Sequence, residues 1–284
     1  VADVVALLSG RTVVVDATVG AGGHAEALLD AGVESVIGID RDPAAVDVAR
    51  RRLHRFGTRF RAVVARFSDL SETLAGTSPV GGVLFDLGVS SMHLDEPTRG
   101  FSYRVEGPLD MRMGAEPDRP TAAVVVNTYR EEDLARIIFE YGNERHSRRI
   151  ARAIVRARER APLSNTRELA AVVASAVPRR RGPGPHPARR TFQALRIEVN
   201  GELDELAASL PQAASSLEEG GRLVVISYHS LEDRIVKRFM AGGEPLSPLT
   251  RKPIRPSARE IEANPRARSA RLRAVVRGSS EVVA

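Results

Sequence analysis

Three acidic residues, each closing a short apolar run, are the first sign of chemistry in this chain. Thr12-Val-Val-Val-Asp16 leads into Ala17-Thr-Val-Gly20-Ala-Gly22-Gly23-His24. Val36-Ile-Gly-Ile-Asp40 follows, and Gly82-Val-Leu-Phe-Asp86 comes later. Glycines between a strand and a helix let a ligand approach the backbone, and the helix N-terminus favours a carboxylate or phosphate. A carboxylate at Asp40, eighteen residues beyond Gly22, suits both ribose hydroxyls of an adenosine-containing cofactor. The pattern points to a nucleotide-like ligand without identifying it. Gly20, Gly22 and Ala25 also fit the G-x-G-x-x-G/A dinucleotide fingerprint, so a nicotinamide-dependent oxidoreductase stays open on these residues alone.

Such residues need a scaffold that brings strand ends side by side. The runs at 12–16, 36–40, 61–66 and 82–86 are apolar on both faces and separated by helical stretches, which predicts a buried parallel sheet. The expected class is α/β, a doubly wound and mostly parallel sheet. Residues 90–120 lose that rhythm, and a loop of this length in a compact domain is usually functional or disordered. Helices are predicted over 121–127, 131–141, 144–160 and 166–177, the last opened by Ser164-Asn-Thr166. Residues 178–187 read as a mobile basic loop, one long helix runs from 189 to about 210, and strands recur at 221–227 and 273–277. The expected organisation is a sheet domain of 1–103 plus 188–284, interrupted by a helical insert of 104–187.

Composition narrows the classes. The 284 residues hold no cysteine and no tryptophan, with 43% hydrophobic and 27% charged residues, which is ordinary for a core-forming chain. Without cysteine there is no disulfide framework, thiolate nucleophile or Cys-ligated zinc site. No apolar run approaches the roughly 20 residues of a membrane span, and the opening Val-Ala-Asp-Val-Val-Ala-Leu-Leu lacks the basic region of a signal peptide. A soluble cytoplasmic protein is the expectation, and the missing initiator Met reads as trimming.

The net charge of +6 is unevenly placed. Thirteen arginines against three glutamates between Tyr141 and Arg190 carry +10, so the remainder sums to −4. A polyanion-facing surface is one reading; a compositional preference for arginine is the other. Arg145, Arg149, Arg152, Arg156 and Arg160 recur every three or four residues and share one helix face, apart from Ile150 and Ile154. Such a stripe can pair bidentately with phosphates, or it is a solvated helix face. The segment Arg251–Arg273, with eight basic residues against two glutamates, offers a second contact.

An acid at Asp16 with glycines four and six residues later is similar to the first motif of adenosylmethionine-dependent methyltransferases, with Thr18 where that motif usually has its first Gly. The longer motifs are more specific: Asp16–His24, Gly38-Ile-Asp-Arg-Asp-Pro43, Asp86-Leu-Gly-Val-Ser-Ser-Met-His-Leu-Asp95, Arg99-Gly-Phe-Ser-Tyr103, Gly107-Pro-Leu-Asp-Met-Arg-Met113, Phe192-Gln-Ala-Leu-Arg-Ile-Glu-Val-Asn200 and Ser227-Tyr-His-Ser-Leu-Glu-Asp-Arg234. Together they span essentially the whole chain, which resembles the bacterial MraW-type methyltransferases that modify cytosine N4 of 16S ribosomal RNA. That family's usual His-Xaa-Pro-Val opening is not seen, again read as trimming. His93 stands where the family often has Gln.

The resemblance implies a class I methyltransferase sheet, S-adenosyl-L-methionine as methyl donor, and a cytidine in the decoding region of 16S rRNA within a small ribosomal subunit as substrate. It implies cofactor contacts at Gly22, Gly23, His24, Asp40, Phe67, Asp86 and His93. A homodimer is left open, and the helical insert becomes the RNA-facing part, with Arg145, Arg149, Arg152 and Arg156 as contacts.

An exocyclic cytosine amine is a poor nucleophile because its lone pair is delocalised into the ring. It must be held in line with the methyl while an acceptor takes its proton or developing charge. Related amine-methylating enzymes use Asp/Asn-Pro-Pro-Tyr after strand four; Asp86-Leu-Gly-Val keeps the acceptor and lacks the aromatic, so Tyr228 or Tyr103 is the candidate stacking face. Pyrimidine C5 methylation generally needs a cysteine adduct, and ribose 2′-O methylation commonly a Lys-Asp-Lys-Glu set; this chain has no cysteine and only Lys237 and Lys252. A non-catalytic RNA-binding protein on the same fold remains the third reading.

Overall fold

The computed structural model describes residues 1–77, 79–178, 184, 186–243 and 245–278. Most of the basic loop expected at 178–187, including Arg179, Arg180 and Arg181, lies outside the described residues. The chain divides into two compact units, Val1–Gly88 with Leu203–Ala284, and Val89–Glu202.

The first unit is built on a seven-stranded sheet of β1 (Val13–Asp16), β2 (Ser35–Asp40), β3 (Phe60–Val64), β4 (Val80–Asp86), β5 (Leu217–Ser227), β6 (Leu246–Pro248) and β7 (Arg271–Arg277). Their spatial order is β3-β2-β1-β4-β5-β7-β6. The first five pair in parallel, and β7 runs antiparallel to both β5 and β6. This is the doubly wound, mostly parallel sheet expected from the sequence. Helices α1 (Ala2–Leu8), α2 (Gly23–Asp30), α3 (Pro43–Leu53) and α4 (Leu70–Thr73) belong to this unit.

Side chains alternate along each strand, so one sheet builds two cores. Val14, Leu84 and Val224 pack with Leu8 of α1, Leu28 of α2 and Leu53 of α3. Val15, Phe85 and Val225 pack on the other side with Leu206, Leu210 and Val236. Burial on both faces is why these strands read as continuous apolar runs. The polar residue closing each run sits at its C-terminal end, and parallel pairing puts those ends on one edge: Asp16 pairs in register with Gly38 and Leu84, and Asp86 with Ile226.

The second unit contains α5 (Ser91–Asp95), α6 (Ala122–Thr128), α7 (Glu131–Glu140), α8 (Ser147–Arg158), α9 (Thr166–Ala176) and α10 (Arg189–Asn200). It is wider than the expected insert of 104–187 because the flanks supply its core: Phe101, Phe192, Leu195 and Val199 pack with Leu134, Ile138, Ile150 and Leu169. Asn165 caps α9 by accepting the Glu168 N–H at 2.9 Å, as the Ser164-Asn-Thr166 signal suggested. Helix α8 starts at Ser147 rather than 144, because Asn143 takes a positive φ and the Glu144 carboxylate accepts the His146 N–H.

The single helix expected from 189 to about 210 is two. Gly201 adopts φ 60°, ψ 32° and ends α10, after which α11 (Glu202–Ser216) begins. Helix α12 (Ser230–Met240) follows β5, and α13 (Ala258–Ala263) follows β6. Helix α1 and strand β6 are short elements that sequence periodicity did not mark.

Candidate active site

The glycine loop between β1 and α2 defines one wall of the site. Gly22 is the residue preceding α2 and has φ 82°, a left-handed conformation costly for a side chain; an added Cβ would also come within 3.0 Å of Leu53 Cδ1. Its N–H bonds to the Val19 carbonyl at 2.7 Å. The Gly20 N–H donates to Asp40 Oδ2, and the Asp42 N–H to Asp40 Oδ1, both at 2.9 Å. Asp40 therefore ties the end of β2 to the loop after β1. Gly23 begins α2 on the exposed side.

Asp86 forms the centre. Its Oδ1 accepts the Tyr228 hydroxyl at 2.9 Å, and its Oδ2 lies 3.2 Å from His24 Nε2. An ionised carboxylate only accepts, so His24 carries a proton on Nε2. The His24 Nδ1 atom is buried with no hydrogen-bond partner. Burial lowers the basicity of His24, but the Asp86 hydrogen bond and the charges of Asp86 and Asp16 outweigh it, and its pKa lies above the ordinary value. Burial pushes the Tyr228 phenol well up, and the adjacent Asp86 charge adds to this, so the hydroxyl stays protonated and donates.

Asp16 completes the cluster and is 1% exposed. Burial pushes its pKa up to about 7, against the pull of His24 and of the Thr18 N–H that it accepts; Asp86 and Asp40 add to the rise. Thr18, the departure from the usual glycine, accepts the Asp86 N–H at 2.7 Å through its Oγ1. It pins the start of the loop after β4, a role a glycine there would not perform. Sequence reading did not find this bond, nor the contact between His24 and Asp86, since both join residues more than sixty positions apart.

Of the expected cofactor residues, Gly22, Gly23, His24, Asp40, Phe67 and Asp86 lie in the first unit, with Tyr228 just past the end of β5. Phe67 is half-buried and meets Phe85 edge to face, with centroids 5.7 Å apart. His93 belongs to the second unit. Its Nδ1 accepts the Ser90 N–H at 3.3 Å, Ser90 Oγ accepts the His93 N–H, and the pair caps α5. That acceptor role places the proton of a neutral His93 on Nε2. Tyr103, the other candidate stacking face, lies in the same unit and is stacked on His186 at 4.9 Å.

Arg145, Arg149, Arg152 and Arg156 are all exposed, as are Arg148 and Arg160. Ser147, Ile150, Ala151 and Ile154 fill the opposite, buried side of α8. Arg145 stands on the turn before α8 rather than within it, and Arg152 lies 3.5 Å from Glu131 of α7. Arg158 is structural, donating to the Val126 carbonyl at 2.8 Å.

Residues 2–278 match the profile of the MraW methylase family. Ribosomal RNA small subunit methyltransferase H of Deinococcus deserti is 53% identical over 272 residues, covering 94% of this chain and 87% of that protein. The protein of the same name from Sorangium cellulosum is 50% identical over 287 residues, covering 99% and 91%. An rRNA methylase structure from Streptococcus thermophilus aligns with a TM-score of 0.46 at 12% identity, over 97% of this chain and 92% of that one.

Proposed function

The chain belongs to the MraW methylase family, and from that premise we propose that it transfers a methyl group from S-adenosyl-L-methionine to N4 of a cytidine in the decoding region of 16S rRNA. One observation carries the choice of cofactor. The carboxylates of Asp16, Asp40 and Asp86 close three neighbouring parallel strands on one edge, and the Gly20 N–H is spent on Asp40 at 2.9 Å. A dinucleotide site would aim those loop N–H groups at a pyrophosphate. A ring of carboxylates repels an anion and suits a ribose together with a cation, which favours a sulfonium nucleoside over NAD.

When bound, S-adenosylmethionine supplies an electrophilic methyl group on a positively charged sulfur. Gly22, Gly23 and His24 would hold it at the start of α2, Asp40 would accept its ribose hydroxyls, and Phe67 would flank its adenine. The orphaned Nδ1 of His24 is a polar atom suited to such a ligand.

Asp86 then serves the substrate. A carboxylate has about four lone-pair sites, and Tyr228 and His24 use one on each oxygen. The remaining sites accept an N–H of the cytosine amine, turning its lone pair toward the methyl and taking up developing positive charge. As the N–C bond forms and the S–C bond breaks, one amine proton passes to Asp86 or water. Tyr228 holds the carboxylate in place, and its ring is the candidate face for the base.

The Arg145, Arg149, Arg152 and Arg156 side chains of the second unit supply the phosphate contacts within a small ribosomal subunit. No described helix is long and apolar enough to cross a membrane. The deciding experiment incubates the protein with labelled S-adenosylmethionine and small subunits from cells lacking this activity, then identifies the methylated nucleoside by mass spectrometry. N4-methylcytidine is the expected product; label at C5 or the ribose 2′-oxygen, or none, would overturn the proposal.

A further inference from the structure

We infer that the second unit carries a stacking site for an unpaired base of the RNA: the outer ring face of His186, backed by Tyr103. The inference rests on reading RNA as the substrate, and it concerns a base other than the one methylated.

The platform is built outward from the core. Phe192 of α10 is buried and meets the half-buried Tyr103 edge to face, with ring centroids 5.7 Å apart at 81°. Tyr103 in turn carries the His186 ring, with 4.9 Å between centroids and the planes 16° from parallel. His186 is exposed, so one face of its ring lies on Tyr103 and the other faces outward. Its orientation is fixed a second time. Nδ1 accepts the Ala188 N–H at 3.2 Å, and the His186 carbonyl accepts the Arg189 N–H at 3.0 Å as α10 begins. A flat ring held this way needs little ordering when a second ring is laid on it.

The chemistry around the ring selects a nucleic acid. Unpaired RNA bases are held by stacking on aromatic rings, His among them, with cations on the adjoining phosphates. The Arg104 guanidinium lies 5.9 Å from the Tyr103 ring centre, and Arg189 is exposed three residues beyond His186. Neither arginine forms an ion pair among the described residues, so both keep their charge for phosphate. In a neutral His186 that accepts at Nδ1, the proton sits on Nε2 and can be donated to a base edge or a phosphate oxygen. No carboxylate bonds to Tyr103 or His186 among the described residues. The stack therefore binds a base but offers no acceptor for an amine proton, and the reacting cytosine belongs at Asp86. Tyr103, a candidate stacking face for that cytosine, acts instead as the shelf beneath His186.

Two variants separate the ring from the turn it sits on. His186→Asn keeps an acceptor for the Ala188 N–H and removes the stacking face; His186→Phe keeps the face and removes the acceptor. Binding of the full chain to small subunits from cells lacking this activity is measured over a salt series, with S-adenosylhomocysteine titrated as a check on folding. His186→Asn should weaken subunit binding roughly 5- to 150-fold, the worth of one base–aromatic stack. The slope of log K against log salt should stay unchanged, because stacking releases no counterions. His186→Phe should bind close to the wild type. In methyl-transfer assays, KM for small subunits should rise in His186→Asn by the same factor as the loss of binding. The inference is overturned if His186→Phe binds as weakly as His186→Asn, or if His186→Asn binds as the wild type does. A slope lowered by about 0.7–0.9 would make His186 a phosphate contact and overturns it too. So does a fall in kcat at unchanged KM, which would place the reacting base on this ring. Wild-type protein that binds no small subunits overturns the RNA reading as well.

Discussion

The Tyr228 hydroxyl donates to Asp86 Oδ1 at 2.9 Å, a bond between side chains 142 positions apart that joins the end of β4 to the residue following β5. With His24 on the other oxygen, the carboxylate is fixed from two sides before any substrate arrives. A group held this way needs little reorganisation when charge develops beside it, which is the condition under which an acceptor is most effective.

Asp86→Ala should abolish methyl transfer, measured as label incorporated into small subunits; substantial residual turnover would remove Asp86 from the mechanism. Tyr228→Phe keeps the ring and deletes the bond to the carboxylate. Hydrogen bonds to charged groups are worth about 1.5–3 kcal/mol, so kcat should fall roughly 10- to 100-fold with cofactor affinity retained. If the ring also stacks on the base, Tyr228→Leu should be slower than Tyr228→Phe. Equal rates for the two variants would leave only the hydroxyl with a role.

Asp16 makes stability depend on pH with a definite sign. Burial raises its carboxyl from 3.8 to about 7. Between those values it is protonated in the fold and ionised in the unfolded chain. Its contribution is therefore complete below about pH 4 and is lost as pH rises through about 7. Asp16→Asn removes this ionisation, so the variant's Tm should gain on the wild type as pH rises from 4 to 8, by roughly 2–4 °C per kcal/mol recovered. A Tm difference independent of pH in a thermal-shift series would contradict the assignment.

The arginine face of α8 predicts a salt signature. Arg149→Ala, Arg152→Ala and Arg156→Ala combined should weaken binding to small-subunit RNA. Each arginine–phosphate pair removed should lower the slope of log K against log salt by about 0.7–0.9. Cofactor affinity should be unchanged. Arg152 should contribute least, since Glu131 lies 3.5 Å from it and already offsets part of its charge. A triple variant with the wild-type slope would show that the face is merely solvated.

The sheet and the strand-end acids were legible because burial on both faces writes an uninterrupted apolar run, and the polar residue that ends it is conspicuous. Asp16, Asp40 and Asp86 could be named on that basis alone. The bonds among His24, Asp86, Thr18 and Tyr228 could not, because they depend on strand order, and nothing local specifies that β4 lies between β1 and β5. The split at Gly201 was masked by apolar spacing that continues on both sides of it. The arginine stripe was legible in periodicity, but not the start of α8, which a positive φ at Asn143 and the Glu144 carboxylate determine.

The motif segments at 99–113 and 192–200, which carried the family resemblance, support one another within the second unit. Asn200 is 1% exposed. Its Oδ1 accepts the Met113 N–H at 2.8 Å, and its Nδ2 donates to the carbonyls of Met111 and Arg196, each at 2.8 Å. Met111 has φ 61°, an unfavourable conformation for a side-chain-bearing residue, and it persists because Asn200 grips the backbone on both sides of Arg112. Asn200→Ala would leave the Met113 N–H and the Met111 carbonyl without this partner, at a cost of about 1–3 kcal/mol for each buried group. Asn200→Asp retains the acceptor but sets a carboxylate against two carbonyls, so it should be no better tolerated. Hydrogen exchange reads the effect directly: the Met113 amide should lose protection in both variants while the Leu84 amide in β4 keeps it. Unaltered protection at Met113 would mean that the 99–113 segment is held by Arg99, which donates to the Arg112 and Met113 carbonyls, without help from Asn200.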